Sequence, residues 1–249
     1  MFEAVLNNAS LASSIYVNIA LAGLTIIVIA LMSRSIRDSR AKLITMSTLM
    51  ISVVSISSYM GLASGLTIDP LTMPEGHPLA GQEVLSLWGR YLTWAFSTPF
   101  ILLALGLLAR STPDKIFSAI VLDVFMCLTG LAAALTTSSH AMRWLWYALS
   151  TAFFIGVLYY LLAEWPAEAE AAGTADIFAT LQWMTIILWI GYPVVWAFGN
   201  EGLALLEVGA TSWAYSGLDI FAKYVFTIVL VLYVRDEPDA VLSTPPATA

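Results

Sequence analysis

The stretch of sequence that decides the fold is Ser212-Trp213-Ala214-Tyr215-Ser216-Gly217-Leu218-Asp219-Ile220-Phe221-Ala222-Lys223-Tyr224-Val225-Phe226, followed by an apolar run from Thr227 to Val234. It is long enough to cross a bilayer as a helix, which takes about 20 residues. A lysine stands in its middle, and a charge inside hydrocarbon is costly enough to indicate a functional site with a partner. Asp219 precedes Lys223 by four residues and is the predicted partner, because residues one turn apart share a helix face.

The Asp219–Lys223 pair has two interpretations. It is either a buried salt bridge between helices, or the site of a desolvated lysine that forms a Schiff base with an aldehyde. The second interpretation requires an aromatic pocket elsewhere in the chain.

The composition indicates an integral membrane protein. Of 249 residues, 59% are hydrophobic and only 11% charged, with a mean hydropathy of +0.84. The single cysteine, Cys127, excludes a disulfide within the chain. No zinc-like spacing of histidines is present, so no metal site is predicted. The net charge of -7 argues against a nucleic-acid partner.

Seven apolar stretches of spanning length predict an all-α membrane protein, a seven-transmembrane-helix bundle formed by residues 1–249 as one domain. They cover about 11–33, 43–65, 86–109, 116–137, 142–163, 176–198 and 210–234. Residues 236–249, which end in Ser243-Thr244-Pro245-Pro246-Ala247-Thr248-Ala249, are predicted to be a disordered tail.

The basic residues of the loops predict the orientation. They cluster on one side, in the first loop, the third loop and the tail: Arg34, Arg37, Arg40, Lys42, Arg110, Lys115 and Arg235. The other side has only Arg143. The N-terminus is therefore expected to be extracellular and the C-terminus cytoplasmic.

The third predicted helix places Arg90, Thr93 and Ser97 on one face. Small hydroxyl residues commonly help membrane helices to pack, which is one interpretation. Charge favours another. If the Lys223 nitrogen and Arg90 are both cationic and Asp219 is the nearby anion, the site keeps one net positive charge, which a bound anion would neutralise.

The sixth predicted helix carries three large aromatics at i, i+3 and i+7, namely Trp189, Tyr192 and Trp196. An aromatic stripe alone is most often packing. Together with Trp94 and a membrane lysine, it supplies the flat apolar slot that a conjugated polyene requires.

With these residues in view, the sequence resembles the microbial rhodopsins and, within them, the halorhodopsin family of light-driven inward chloride pumps of haloarchaea. The resemblance covers essentially all seven helices. Its most specific segments run from Arg90 to Pro99, Cys127 to Ala134, Trp189 to Trp196 and Leu218 to Tyr224.

The resemblance implies that Lys223 binds all-trans retinal as a protonated Schiff base, with Asp219 as counter-ion. Thr93 occupies the place where proton pumps carry an acceptor aspartate, and Ala104 that of their donor carboxylate. The implied retinal-binding residues are Trp94, Thr98, Asp123, Met126, Gly130, Trp189, Tyr192 and Trp196. The implied anion-binding residues are Arg90, Thr93, Trp94, Ser97, Asp219 and Lys223.

One position departs from the family. Halorhodopsins usually carry Arg or Lys where this chain has Gln182, three residues before Thr185, and that basic residue is associated with anion release on the cytoplasmic side. Release here either relies on Thr185 and water, or transport is slower or altered.

The resulting prediction is a light-driven inward pump for chloride or another halide, a transporter and not an enzyme, in the cell membrane. The family also implies a homotrimer. Two alternatives stay open: an anion-binding sensory rhodopsin that signals to a membrane partner, and a light-gated anion channel.

Overall fold

Seven long apolar helices form the molecule, as predicted. The structure is a computed structural model that describes residues 2–242. The helices are α1 Ala9–Ser35, α2 Ser39–Ala63, α3 Gly89–Leu108, α4 Pro113–Leu135, α5 His140–Ala171, α6 Ala175–Phe198 and α7 Val208–Asp236. A five-residue helix, Phe2–Leu6, precedes α1.

The largest difference from the predicted bounds is at the end of α5, which was expected near residue 163 and ends at Ala171. Residues Tyr160–Glu164 form a π-helical turn, after which the α-helix resumes at Trp165. Pro166 is tolerated there because it occupies the first turn of the resumed segment, where a missing N–H costs little.

A second π-helical turn, Ile220–Val225, interrupts α7 between Val208–Asp219 and Phe226–Asp236. Such turns are rare and frequently mark functional sites. Lys223 lies inside this one.

The connection between α2 and α3 folds into an antiparallel hairpin of β1 Asp69–Thr72 and β2 Glu83–Ser86. Asp69 pairs with Ser86 and Thr72 with Glu83. The chain reverses through Gly76 and Gly81, whose φ angles of 86° and 76° suit glycine. The connection between these helices is therefore an ordered element.

The predicted disorder after residue 236 does not hold for the part of the tail that the structure describes. Pro238–Val241 forms a short 3₁₀ helix, and Val241 is buried. Arg110 Nη2 donates a hydrogen bond of 2.8 Å to the Leu242 carbonyl, which ties this turn to the bundle. The remaining residues, 243–249, lie outside the described range.

The helices differ in how much of each is buried inside the bundle, and the most buried ones carry the predicted site. In α3, 67% of the most apolar segment is buried, against 17% in α5. The α7 value is 50%. Helices α3 and α7 therefore carry many of the side chains that face the interior, while large apolar residues from all seven helices cover the outer surface, as expected in lipid.

Candidate functional site

The predicted ion pair is present in the middle of α7. Lys223 Nζ lies 3.0 Å from Asp219 Oδ1, and both side chains are 1% exposed. A buried pair of this kind is stable only when further hydrogen bonds compensate the loss of water. The surroundings of Asp219 supply them.

Two tyrosines donate to the Asp219 carboxylate, one to each oxygen. Tyr59 of α2 donates to Oδ2 at 2.6 Å, and Tyr192 of α6 donates to Oδ1 at 2.7 Å. Tyr192 was predicted from the sequence as part of the aromatic wall, whereas Tyr59 was not predicted. A signal for Tyr59 exists, because Ser52, Ser55 and Tyr59 recur at i, i+3 and i+7 and all three are buried.

Hydrogen bonds link Arg90 to Asp219 through Tyr59. Its Nη1 donates to the Tyr59 hydroxyl at 3.2 Å, and its Nη2 donates to Ser212 Oγ at 2.5 Å. Ser212 Oγ is in turn 2.6 Å from Ser14 Oγ of α1. The guanidinium, which is 3% exposed, is thus held by hydroxyls from α2 and α7.

The two hydroxyls predicted to bind an anion differ in what they already contact. Thr93 Oγ1 donates to the Gly89 carbonyl of its own helix at 2.9 Å. Ser97 is fully buried, and its Oγ has no hydrogen-bond partner within residues 2–242. The indole nitrogen of Trp94 is likewise buried and unpartnered in that range. Ser97 and Trp94 therefore offer free donors, whereas the proton of Thr93 is already used.

Beside the ion pair lies an apolar cavity with about 700 Å³ of space not occupied by protein atoms. Seven of the residues predicted to bind retinal line it: Trp94, Thr98, Met126, Gly130, Trp189, Tyr192 and Trp196. Residues that the sequence analysis missed also line it, among them Tyr91, Tyr147, Phe154 and Tyr215. Tyr192 belongs to the wall and also donates to Asp219, so the cavity adjoins the ion pair.

Aromatic contacts fix the walls of the cavity. The Trp94 ring meets Tyr192 edge-on, with centroids 5.0 Å apart, and Trp196 stacks on Tyr147 at 4.9 Å. Packing of this kind adds stability beyond area burial and leaves little freedom to the rings. The result is a preformed slot.

Asp123, also predicted at the retinal site, lies behind the cavity wall and not in it. Thr98 Oγ1 is 2.6 Å from Asp123 Oδ2 and 2.7 Å from the Trp94 carbonyl. Asp123 is fully buried. Thr98 therefore links α4 to the wall residue Trp94.

The two residues predicted at the release pathway are both buried in α6 and contact protein carbonyls. Thr185 Oγ1 donates to Leu181 at 2.8 Å, within its own helix. Gln182 Nε2 donates to the Leu161 carbonyl of α5 at 2.7 Å. This interhelical bond was not predicted from the sequence.

A buried lysine–aspartate pair beside a rigid aromatic cavity inside seven spanning helices is the arrangement of a chromophore-binding membrane protein. Residues 9–236 match the model of the bacteriorhodopsin-like protein family, and the chain belongs to that family. It is a multi-pass membrane protein.

Within the family, the chain is similar to halorhodopsins. It is 62% identical over 234 residues to the halorhodopsin of Halobacterium sp. (strain SG1), covering 94% of this chain and 82% of that relative. A solved structure described as halorhodopsin, a light-driven chloride pump, superposes with a TM-score of 0.93 at 58% identity, covering 94% of this chain and 98% of that one. A bromide-bound halorhodopsin from Halobacterium salinarum gives a TM-score of 0.94 at 57% identity, covering 96% and 99%.

Proposed function

We propose that this chain is a light-driven inward pump for chloride and related halides. The observation that carries the proposal is the charge balance of the interior. Lys223 and Arg90 are both buried cations, and Asp219 is the carboxylate linked to them. In a low-dielectric interior such an excess of positive charge favours a bound anion.

Retinal is the group that the cavity fits. The space is apolar, lined with aromatic rings and adjacent to a buried primary amine. Lys223 would hold retinal as a Schiff base, with Trp94, Trp189, Tyr192 and Trp196 packing against it. Bound there, retinal supplies light absorption and a photoisomerisation.

The carboxylate is held in its ionised form by the residues around it. Asp219 accepts from two phenols and faces Lys223, so adding a proton would cost hydrogen bonds that favour the anion. Position 93 is a threonine and position 104 a buried alanine. Neither offers the acid–base group that a proton relay needs at each end.

Ser97 and Trp94 are the donors that can replace part of the hydration shell of chloride. Both have a free N–H or O–H inside the bundle, on the helix that also carries Arg90. Thr93 contributes to the shape of the anion site and not a hydrogen bond to the anion, because its hydroxyl already donates to the Gly89 carbonyl. We assign the end that carries Arg90 and the β-hairpin to the outside, so chloride enters there and leaves past Thr185.

Illumination of cells in chloride and then in sulfate tests the function. Inward chloride transport makes the cell interior negative, protons follow passively, and the medium becomes alkaline. The alkalinisation is expected to increase with a protonophore and to vanish in sulfate. Alkalinisation that persists in sulfate contradicts the proposal, and a photocurrent that reverses at the chloride equilibrium potential identifies a channel instead.

Asp123 is expected to stay protonated and to take no part in transport. Thr98 has one hydroxyl proton but two close acceptors, and both contacts are satisfied when a protonated Asp123 donates to Thr98 while Thr98 donates to Trp94. Infrared spectra at pH 7 should contain a carboxylic C=O band that disappears in Asp123→Asn.

The same Asp123→Asn variant keeps a hydrogen-bond donor next to Thr98. Because that hydrogen bond is preserved, we expect a change in free energy of under about 1 kcal/mol and a chloride transport rate within about threefold of the parent. Absence of the carboxylic band in the parent protein, or a complete loss of transport in the variant, contradicts this assignment.

A further inference from the structure

The π-helical turn of α5 leaves one backbone carbonyl without its usual partner. In an α-helix the Leu161 carbonyl accepts from the N–H of residue 165. Here the Trp165 N–H donates to Tyr160 instead, five residues back. The next backbone nitrogen belongs to Pro166, which has no hydrogen to donate.

This carbonyl cannot be satisfied by solvent, because Leu161 and the adjacent Trp165 are both fully buried. Buried carbonyls in native proteins almost always have a partner. Gln182 provides it: its Nε2 lies 2.7 Å from the Leu161 oxygen, and its side chain is 5% exposed. Pro166 thus leaves the Leu161 carbonyl without a backbone donor, and Gln182 of the neighbouring helix donates to it instead.

Gln182 also lies on the face of α6 that leads to the chromophore cavity. Thr185 and Trp189 follow at i+3 and i+7, and all three are buried. Trp189 lines the cavity. A displacement of Trp189 along this face therefore acts on the Gln182–Leu161 bond.

We propose that Gln182 is a positioning residue that fastens α6 to the π-helical turn of α5, and that breaking this bond limits the opening through which chloride leaves. The proposal rests on the proposed function. It assigns the role of residue 182 to hydrogen-bond donation and not to charge, so a neutral amide serves as well as a cation.

Two substitutions separate donation from charge. Gln182→Met keeps the length and removes the donor, and Gln182→Lys keeps a donor and adds a charge. In Gln182→Met the chloride-dependent late phase of the photocycle is expected to be about 3- to 10-fold faster than in the parent. This is the acceleration expected when one hydrogen bond no longer has to break. In Gln182→Lys it should stay within about twofold of the parent.

The chloride affinity of the dark state can be measured by titrating the visible spectrum with chloride, and it should be unchanged in both variants. A variant that had lost its structure in general would bind chloride more weakly. The control is Thr180→Val on the exposed side of α6, where the hydroxyl donates to Asp176 of its own helix. A faster late phase in Gln182→Lys together with parental kinetics in Gln182→Met overturns the proposal in favour of charge.

Pro166→Ala provides an independent check, because it returns a backbone N–H next to the Leu161 carbonyl. Once that carbonyl has a donor within α5, its bond to Gln182 holds α6 less tightly, so the late phase of Pro166→Ala should be faster than in the parent, and adding Gln182→Met should accelerate it little further. If Gln182→Met forms no coloured protein, the double variant must restore it. A double variant in which the two accelerations multiply, or one that is as colourless as Gln182→Met, contradicts the proposal. Failure of the proposed function is distinct, because the parent protein itself would then move no chloride.

Discussion

Lys223→Ala is expected to abolish both the visible absorption of the protein and its chloride transport. The chain has three lysines, and Lys223 is the one that is buried. Lys42 is exposed, and Lys115 is paired with Glu164 and Glu168 at 2.6 Å each. No other amine adjoins the aromatic cavity among the described residues, so none can replace Lys223 in a Schiff base.

The measurement is the visible spectrum after addition of all-trans retinal, followed by light-driven transport in vesicles. Lys223→Arg keeps the charge beside Asp219 but cannot form the Schiff base, so it should be equally colourless. Lys115→Ala is the matched control: it removes two partly exposed salt bridges, which contribute little in water, and the protein should remain coloured. A visible band that survives in Lys223→Ala contradicts the assignment of the chromophore site.

The second large effect is expected at Ser97 and not at Thr93. Ser97→Ala removes a free, buried hydroxyl donor, and a hydrogen bond to a charged partner is worth about 1.5 to 3 kcal/mol. The chloride dissociation constant should therefore rise about 10- to 100-fold, at about 1.4 kcal/mol for each factor of ten. Thr93→Val should change it by about threefold or less, because the Thr93 hydroxyl already donates to Gly89.

Spectral titration with chloride measures both constants. Thr45→Val is the matched control for the threonine, since Thr45 is also fully buried and donates to a carbonyl four residues back, at 2.8 Å, in α2. It should leave the chloride affinity unchanged. An affinity lost in Thr93→Val and retained in Ser97→Ala would show that the two hydroxyls have the opposite roles.

The seven helices and the central ion pair could be predicted because each depends on local sequence. Spanning segments follow from runs of apolar residues, and Asp219 and Lys223 share a face of one helix. The aromatic wall was predicted in the same way from the spacing of Trp189, Tyr192 and Trp196. The end of α5 was misplaced because a π-helical turn lets the helix continue through Pro166, where a regular helix would stop.

The partners of the charged groups could not be predicted, because they come from distant parts of the chain. Tyr59 and Asp219 are separated by 160 positions, and Arg90 and Ser212 by 122. Periodicity identifies the inward face of each helix, but it does not tell which hydroxyl is already bonded. That is why Thr93 and Ser97 were interpreted alike from the sequence, although their environments differ.

Gln182 illustrates the same limit. From the sequence, Gln182 is interpreted as the loss of a basic residue. In the structure, it donates a hydrogen bond to the Leu161 carbonyl, which has no backbone donor because the π-helical turn is followed by Pro166. The need for that donor arises on another helix, 21 positions away.

The contacts of Tyr59 mean that polar contacts join the helices differently at the two ends of the bundle. Lys223, Asp219, Tyr59, Arg90, Ser212 and Ser14 form one continuous series of polar contacts that joins α7, α2, α3 and α1. At the other end, α6 and the residue before it are joined to α5 and α3 by single bonds from a side chain to a carbonyl, Gln182–Leu161 and Thr174–Leu108. A single bond of this kind can break by itself, whereas the charged series joins four helices. A displacement of α6 would therefore break fewer polar contacts at the end that carries Gln182 than at the end that carries Arg90.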